Sequence, residues 1–208
     1  MTLRLPDRGR SRRLTAVDAY QFPASVRQRF TFEHPDLTPD QVRTVEDGTR
    51  QWFRLAARHP RVKLSMPSVA VDALWHEMVL HTRDYQEFCD QVLGRFLHHE
   101  PESSMSTEAA AAQRAQRLQD TFRLAQQDEG CAAHVLPLLF RVDREVAIRG
   151  GRRYLADCGG RGQCFEVADA LCLTHLTGLG KRTRGMWKGP GAATPGVLDG
   201  GPVCTGGG

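Results

Sequence analysis

Residues Met66 to His99 constrain this chain more than any other stretch. They read MPSVAVDALWHEMVLHTRDYQEFCDQVLGRFLHH. Val71, Leu74, Trp75, Met78, Thr82, Tyr85, Cys89 and Val92 fall on one stripe of an unbroken helix, which Pro67 and Ser68 open and Gly94 closes. That places Trp75-His76, His81, Tyr85, Cys89 and the pair His98-His99 in a single helical window. An alternative geometry breaks the helix at His81 and lets Thr82 start a second one. Either way the segment demands a helical domain packed around its aromatic residues.

The flanking sequence reads as further helices. Phe22, Val26 and Phe30 recur every four residues after Pro23. Thr38 is an N-cap with Pro39 at the first helical position and Gln41 completing a capping box. Val42, Val45, Thr49, Trp52, Phe53 and Ala56 then share a face, and His59-Pro60 ends that helix. Another helix follows Ser106, with Ala111, Ala115, Leu118, Phe122 and Ala125 inward and Gly130 at its close. Leu136 to Val146 reads as helical, Arg149 to Arg152 as a turn, Tyr154 to Gly162 as irregular, and Val167 to Leu176 as a last short helix. There is no internal repeat. The expected fold is all-α, an irregular multi-helix bundle with a small irregular or two-stranded part near 150–166.

Organisation follows from composition. Residues 1–18 carry Arg4, Arg8, Arg10, Arg12 and Arg13 and read as a basic disordered arm. Residues 19–180 form the helical domain, with the signature segment at 66–99. Residues 181–208 are rich in Gly and Pro and read as a disordered tail. A globular part of this size buries roughly 70% of its unfolded surface, enough for a core of its own. No apolar run reaches the roughly 18 residues of a membrane span, and no apolar stretch follows the N-terminal arginines as in a secretory signal. Cytoplasm is the expected location, with the six cysteines reduced. The only lysines are Lys63, Lys181 and Lys188, a bias that fits a GC-rich bacterial genome.

Two clusters carry candidate chemistry. The first is His76-Glu77-Met78-Val79-Leu80-His81. A metalloprotease helix needs its histidines four residues apart. Here they are five apart, about 140° around an ideal helix, so an unbroken helix excludes a shared zinc. The packing account makes Trp75, Tyr85 and Cys89 core residues, pairs His76 with Asp72, pairs His81 with Glu77 or Tyr85, and uses His98-His99 to cap helix-end carbonyls. The competing account is a zinc or iron site built from His76, His81, Cys89 and His98 or His99. The second cluster is Cys158, Cys164, Cys172 and His175, a second candidate metal set whose spacing is not that of a zinc ribbon. Cys131/His134 and Cys172/His175 have the spacing of one helix face. The glycines around Arg161 lack the Lys and Ser/Thr of a phosphate loop. Arg149, Arg152, Arg153 and Arg161, with Lys181, Arg182 and Arg184 before the tail, suggest a patch for an anionic ligand, but a net charge of +4 is modest for nucleic acid.

At Val71-Asp72, Trp75-His76, Tyr85, Cys89, Gly94 and His98-His99 the chain resembles the glycine-rich domain-containing protein-like family. That family is known from plants and has bacterial and fungal relatives. Its hallmark is similar: V-D-x-x-W-H, then a Tyr and a Cys, then a Gly and a His. The resemblance covers residues 66–99. Many relatives have a proline near the position of Arg83, which implies the broken helix; this chain has no proline there. The resemblance implies no catalytic activity.

The expected function is therefore a non-catalytic cytoplasmic helical protein that binds an unspecified protein partner, without membrane, nucleic acid or cofactor. The alternatives are a zinc- or iron-binding protein using the signature histidines and cysteine, and a nucleic-acid accessory protein using the arginines. The sequence specifies no oligomeric state.

Overall fold

The structure, a computed structural model, describes residues 8–99, 108–157, 170–174 and 176. Among them are seven α-helices: α1 (Arg8–Asp18), α2 (Ala24–Glu33), α3 (Pro39–Arg58), α4 (Val69–Leu80), α5 (Thr82–Phe88), α6 (Glu108–Glu129) and α7 (Leu138–Glu145). A π-helical turn, Cys89–Leu93, continues α5. Two short strands, β1 (Tyr154–Leu155) and β2 (Leu171–Cys172), pair in parallel. The fold is the expected irregular all-α bundle with a minor two-stranded part.

Helix α3 is the central strut and packs against α1, α4, α6 and α7. Its start is the capping box read from the sequence. The Gln41 amide donates to Thr38 Oγ1 at 3.3 Å, and the Thr38 amide donates to Gln41 Oε1 at 2.9 Å. Val45, Trp52, Phe53 and Leu55 are buried along it. Gly48 lets two neighbours close in: a Cβ there would lie 2.7 Å from a methyl of Val142 and 3.0 Å from one of Val71.

Two helices are capped from elsewhere in the chain. The buried carboxylate of Asp143 on α7 accepts from Ser68 Oγ (2.6 Å), the Val69 amide (2.9 Å) and the Ala70 amide (3.0 Å), so it closes the N-terminus of α4. It also accepts the Arg152 amide at 2.8 Å. In turn α7 begins against Gln51 of α3, whose Oε1 accepts the Leu139 amide at 2.7 Å, and against Glu129, which accepts the Leu138 amide at 2.6 Å. First-turn amides have no partner within their own helix, so these side chains complete what the helices cannot supply.

Three expectations are corrected. Within residues 1–18, Arg8–Asp18 form a helix, not a disordered arm: Val17 is fully buried, Leu14 packs on the core and Asp18 pairs with Arg54 at 2.9 Å. Leu171–Cys172 are a strand, not part of a last helix, because the Leu171 amide donates to Arg153 O and the Leu173 amide to Leu155 O, both at 2.9 Å. The two-stranded part thus draws its second strand from beyond 150–166. Finally, Cys131 and His134 lie in the non-helical link after Gly130 and share no helix face. The tail at 181–208 lies outside the described residues.

Candidate functional site

The signature segment folds as helix, break, helix and return. The break falls at His81, whose φ of −85° and ψ of 65° leave the helical region. No proline is needed. The His81 ring stabilises the break itself, with Nδ1 2.8 Å from the Glu77 carbonyl. That carbonyl, in the last turn of α4, also accepts the His81 backbone amide at 3.3 Å, an amide shared with the Met78 carbonyl at 3.1 Å. The contact places a proton on Nδ1, since a carbonyl only accepts.

The return is made by the π-helical turn. Gly94 has φ +68°, and the amides of Gly94 and Arg95 both reach back to the Cys89 carbonyl. Arg95 adds a bond from its guanidinium to Ala56 O at 3.1 Å. The chain from Phe96 to His99 then runs back over α4 as a strap.

A buried polar relay holds the strap. Trp75 Nε1 donates to Tyr85 Oη at 3.0 Å, and the Tyr85 hydroxyl donates to the Leu97 carbonyl. Trp75 is walled by Trp52 at 5.5 Å and Phe53 at 6.4 Å between ring centroids. On its outer side His99 packs at 4.5 Å. His99 Nε2 is 3.1 Å from Asp72 Oδ1, and the His99 ring meets His76 edge-on at 5.4 Å. Phe96 packs edge-on to Tyr85 at 5.5 Å, and His98 lies against Phe96 at 4.9 Å.

Burial sets the protonation of this cluster. Burial pushes the Tyr85 phenol up, beyond the range of ordinary tyrosines. Burial likewise raises the Cys89 thiol, against a smaller lowering by the Leu97 backbone and Tyr85. Tyr20, which packs on Phe88, is pushed up to about 12 by burial, with the charges of Asp84 and Cys89 adding to it. Groups raised in this way stay protonated at neutral pH and are poor nucleophiles and poor metal ligands.

The expected set of His76, His81, Cys89, His98 and His99 is therefore divided. His76 and His99 meet. His81 is committed to the Glu77 carbonyl, Cys89 is fully buried, and His98 turns onto Phe96. Glu77 sits beside Arg29, with a carboxylate oxygen 3.6 Å from Nε, and not beside a histidine pair. Asp72 pairs with His99, not with His76 as the helical spacing suggested, and His99 serves α4 as a side-chain partner instead of capping a helix-end carbonyl. Among the described residues, no three His, Cys, Asp or Glu side chains are grouped to hold a metal ion. Of the second set, Cys172 is buried in β2, while Cys158, Cys164 and His175 lie outside the described residues.

Sequence reasoning missed Asp143. The available signal was an acid on the buried stripe of α7, between Leu139, Val142 and Val146. Two concave surfaces also appear. A groove of about 520 Å³ between α2 and α3 has the Arg27–Glu46 ion pair on its wall. A smaller cleft of about 220 Å³ lies at the turn after α7.

Fold and site together define a helical protein of one architecture, in which a broken helix and its returning strap enclose an aromatic–imidazole cluster. Among the described residues no helix is long and apolar enough to cross a membrane. The chain belongs to the family described as UCP032817-like, whose model matches residues 12–176 and so takes in the whole cluster. No curated protein and no solved structure matches the chain.

Proposed function

We propose that this chain is a non-catalytic cytoplasmic binding or accessory protein, and that its contact face is the strap with the adjoining surface of α4. One observation carries this reading. Phe96 is 41% exposed and stands beside the exposed His98, and both rest on a strap pinned by the buried Trp75–Tyr85–Leu97 relay. A rigid aromatic group on a supported surface is the kind of anchor that protein interfaces use. The raised Tyr85 and Cys89 favour a structural over a catalytic use of the cluster. Kinship with the glycine-rich domain-containing protein-like family is part of the same proposal, supported by the V-D-x-x-W-H residues packing as one unit with the strap.

The test compares the full chain with a Phe96→Ser/His98→Ser variant as bait for partner capture, followed by reconstitution with the purified partner. The expected result is an unchanged melting temperature and at least a tenfold loss of affinity, the scale of losing an interface anchor of about 1.4 kcal/mol or more. Undiminished binding by the variant, with binding lost instead in Phe32→Ser on α2, would move the contact face elsewhere.

A second reading is a zinc or iron site on the same surface. It rests on the 3.1 Å contact of His99 Nε2 with Asp72 Oδ1, close to the separation of two ligands on one tetrahedral ion, and on His76 beside them. It requires the exposed His76 ring to turn inward. Metal analysis of tag-free protein decides it: about one equivalent, lost in both His76→Ala and His99→Ala, establishes the site, and less than about 0.2 equivalents refutes it.

A further inference from the structure

The turn after α7 has features that neither the strap nor the core requires. It encloses the cleft of about 220 Å³, lined by Asp143, Arg144, Ala147, Gly150, Arg152 and Arg153 among others. That is below the usual size of a site for a drug-sized molecule and suits a small group. Three of these six residues are arginines. Arg144 and Arg153 are exposed and have no ion pair among the described residues. Arg152 is anchored, with Nη1 donating to Met66 O at 2.6 Å and its amide to Asp143 Oδ2 at 2.8 Å.

The acid in the wall offsets one of these three charges and leaves an excess of positive charge. Asp143 is 4% exposed and accepts four hydrogen bonds, three from Ser68, Val69 and Ala70 at the start of α4 and one from the Arg152 amide, so its lone pairs are already occupied. The carbonyls at the end of α7 are also taken: those of Val142, Asp143 and Arg144 accept the amides of Val146, Ile148 and Ala147. The cleft therefore presents the guanidinium donors of Arg144 and Arg153 with few competing acceptors among the described residues. Its backbone is held in an uncommon form as well. Ala147 has φ +51° and Gly150 has φ +72°. The left-handed Ala147 is the C-cap turn that ends α7, its amide and that of Ile148 returning to the carbonyls of Arg144 and Asp143, and it carries the following residues around the cleft. Gly150 donates no backbone hydrogen bond among the described residues, so its amide is available to an acceptor in the cleft.

We propose that the turn Ala147–Arg153, with Arg144, is a binding site for a phosphate group carried by a small molecule or free in solution. Guanidinium groups match the planar, multidentate acceptor geometry of phosphate oxygens, and an amide of a left-handed turn adds a donor of the kind used in anion-binding nests. The enclosure and small volume favour a single phosphate over a polyanion lying across the surface.

The experiment titrates the full chain with inorganic phosphate and with glycerol 3-phosphate by calorimetry, at ionic strength held constant with sodium chloride. The expected result is saturable 1:1 binding of both probes. Tighter binding of the ester identifies a phosphorylated small molecule as the source, and equal binding identifies the free ion. Arg144→Gln/Arg153→Gln should weaken binding at least tenfold, as expected for loss of charge-assisted hydrogen bonds. Its melting temperature without phosphate should be unchanged, because both side chains are exposed. Arg83→Gln/Arg123→Gln removes the same charge from exposed positions outside the cleft and should bind normally. The proposal is overturned if no saturation appears up to about 10 mM probe, roughly tenfold above the concentration that half-fills a site of about 1 mM Kd. It is equally overturned if both double variants lose binding alike, or if a single-stranded RNA oligomer binds while neither small probe does.

Discussion

The cap that Asp143 places on α4 gives the sharpest test of how this bundle is held. Asparagine keeps the shape and removes the charge. The native Oδ1 accepts Ser68 Oγ and the Ala70 amide, and Oδ2 accepts the Val69 and Arg152 amides. The carboxamide that Asp143→Asn puts there has one acceptor oxygen and one NH₂ donor. Whichever way it sits, one pair of donors faces a donor: the buried pair on Oδ1 or the part-buried pair on Oδ2. Each stranded buried donor costs about 1–3 kcal/mol, and loss of the negative charge at a helix N-terminus adds about 0.3–1 kcal/mol. Local relaxation recovers part of this, so Asp143→Asn should destabilise by about 2–4 kcal/mol. For a chain of this size 1 kcal/mol is about 2–4 °C, so the melting temperature should fall by roughly 5–15 °C. Urea unfolding followed by far-ultraviolet circular dichroism measures the same loss as a lower midpoint at constant slope. Ser68→Ala removes one donor and one cap and should cost only about 1 kcal/mol. An Asp143→Asn midpoint equal to that of wild type would show that α4 starts without its partner helix and would sink the reasoning.

Two further outcomes follow from the same packing. Trp75→Ala should cost about 3–5 kcal/mol, because it empties the space between Trp52, Phe53 and His99 and leaves the Tyr85 hydroxyl short of a donor; a melt within a degree or two of wild type would contradict it. Burial tends to raise Glu129, but the Leu138 amide, Arg141 and Gln51 outweigh it and hold the carboxyl below its ordinary 4.5. Its stabilising effect is therefore full above about pH 4.5 and is lost as pH falls through the lower folded value. Glu129→Gln should be less stable than wild type at pH 7, and the gap should narrow below pH 4.5 in melts run across that window; a gap constant with pH would refute the assignment.

What could be read in the sequence was local. Thr38, Pro39 and Gln41 announce α3 because a capping box with a proline at the first helical position is complete within four consecutive residues. Ser68 announces α4 because its hydroxyl caps the Val71 amide three residues on. The first helix was lost because its arginines dominate its composition, while its hold on the bundle comes from Leu14, Val17 and the Asp18–Arg54 pair, contacts made with a distant helix. The apolar run around Leu171–Cys172 is too short for periodicity to separate strand from helix, and pairing with Tyr154–Leu155 decided it. In the site, helical spacing correctly gathered Trp75, Tyr85 and Cys89 into the core. It could not show that the chain reverses at Gly94 and lays His99 on Asp72, because that contact depends on a π-helical turn, which is rare and leaves no pattern in one sequence.

Helix ends are ordinarily where a folded chain first loosens, since their outermost amides are held by water or by their own neighbours in sequence. Here the first amides of α4 are fastened by α7, and that of Leu139 in α7 by α3. Neither end can open without a second helix letting go. In hydrogen exchange, Val69, Ala70 and Leu139 should therefore behave like residues from the middle of the core and exchange only when the whole bundle unfolds. A fragment that omits α7 would leave α4 with its local Ser68 cap alone and strip the Val69 and Ala70 amides of their acceptor, so the segment that carries the aromatic cluster is weakened when cut from the rest. The site is a property of the complete helical domain.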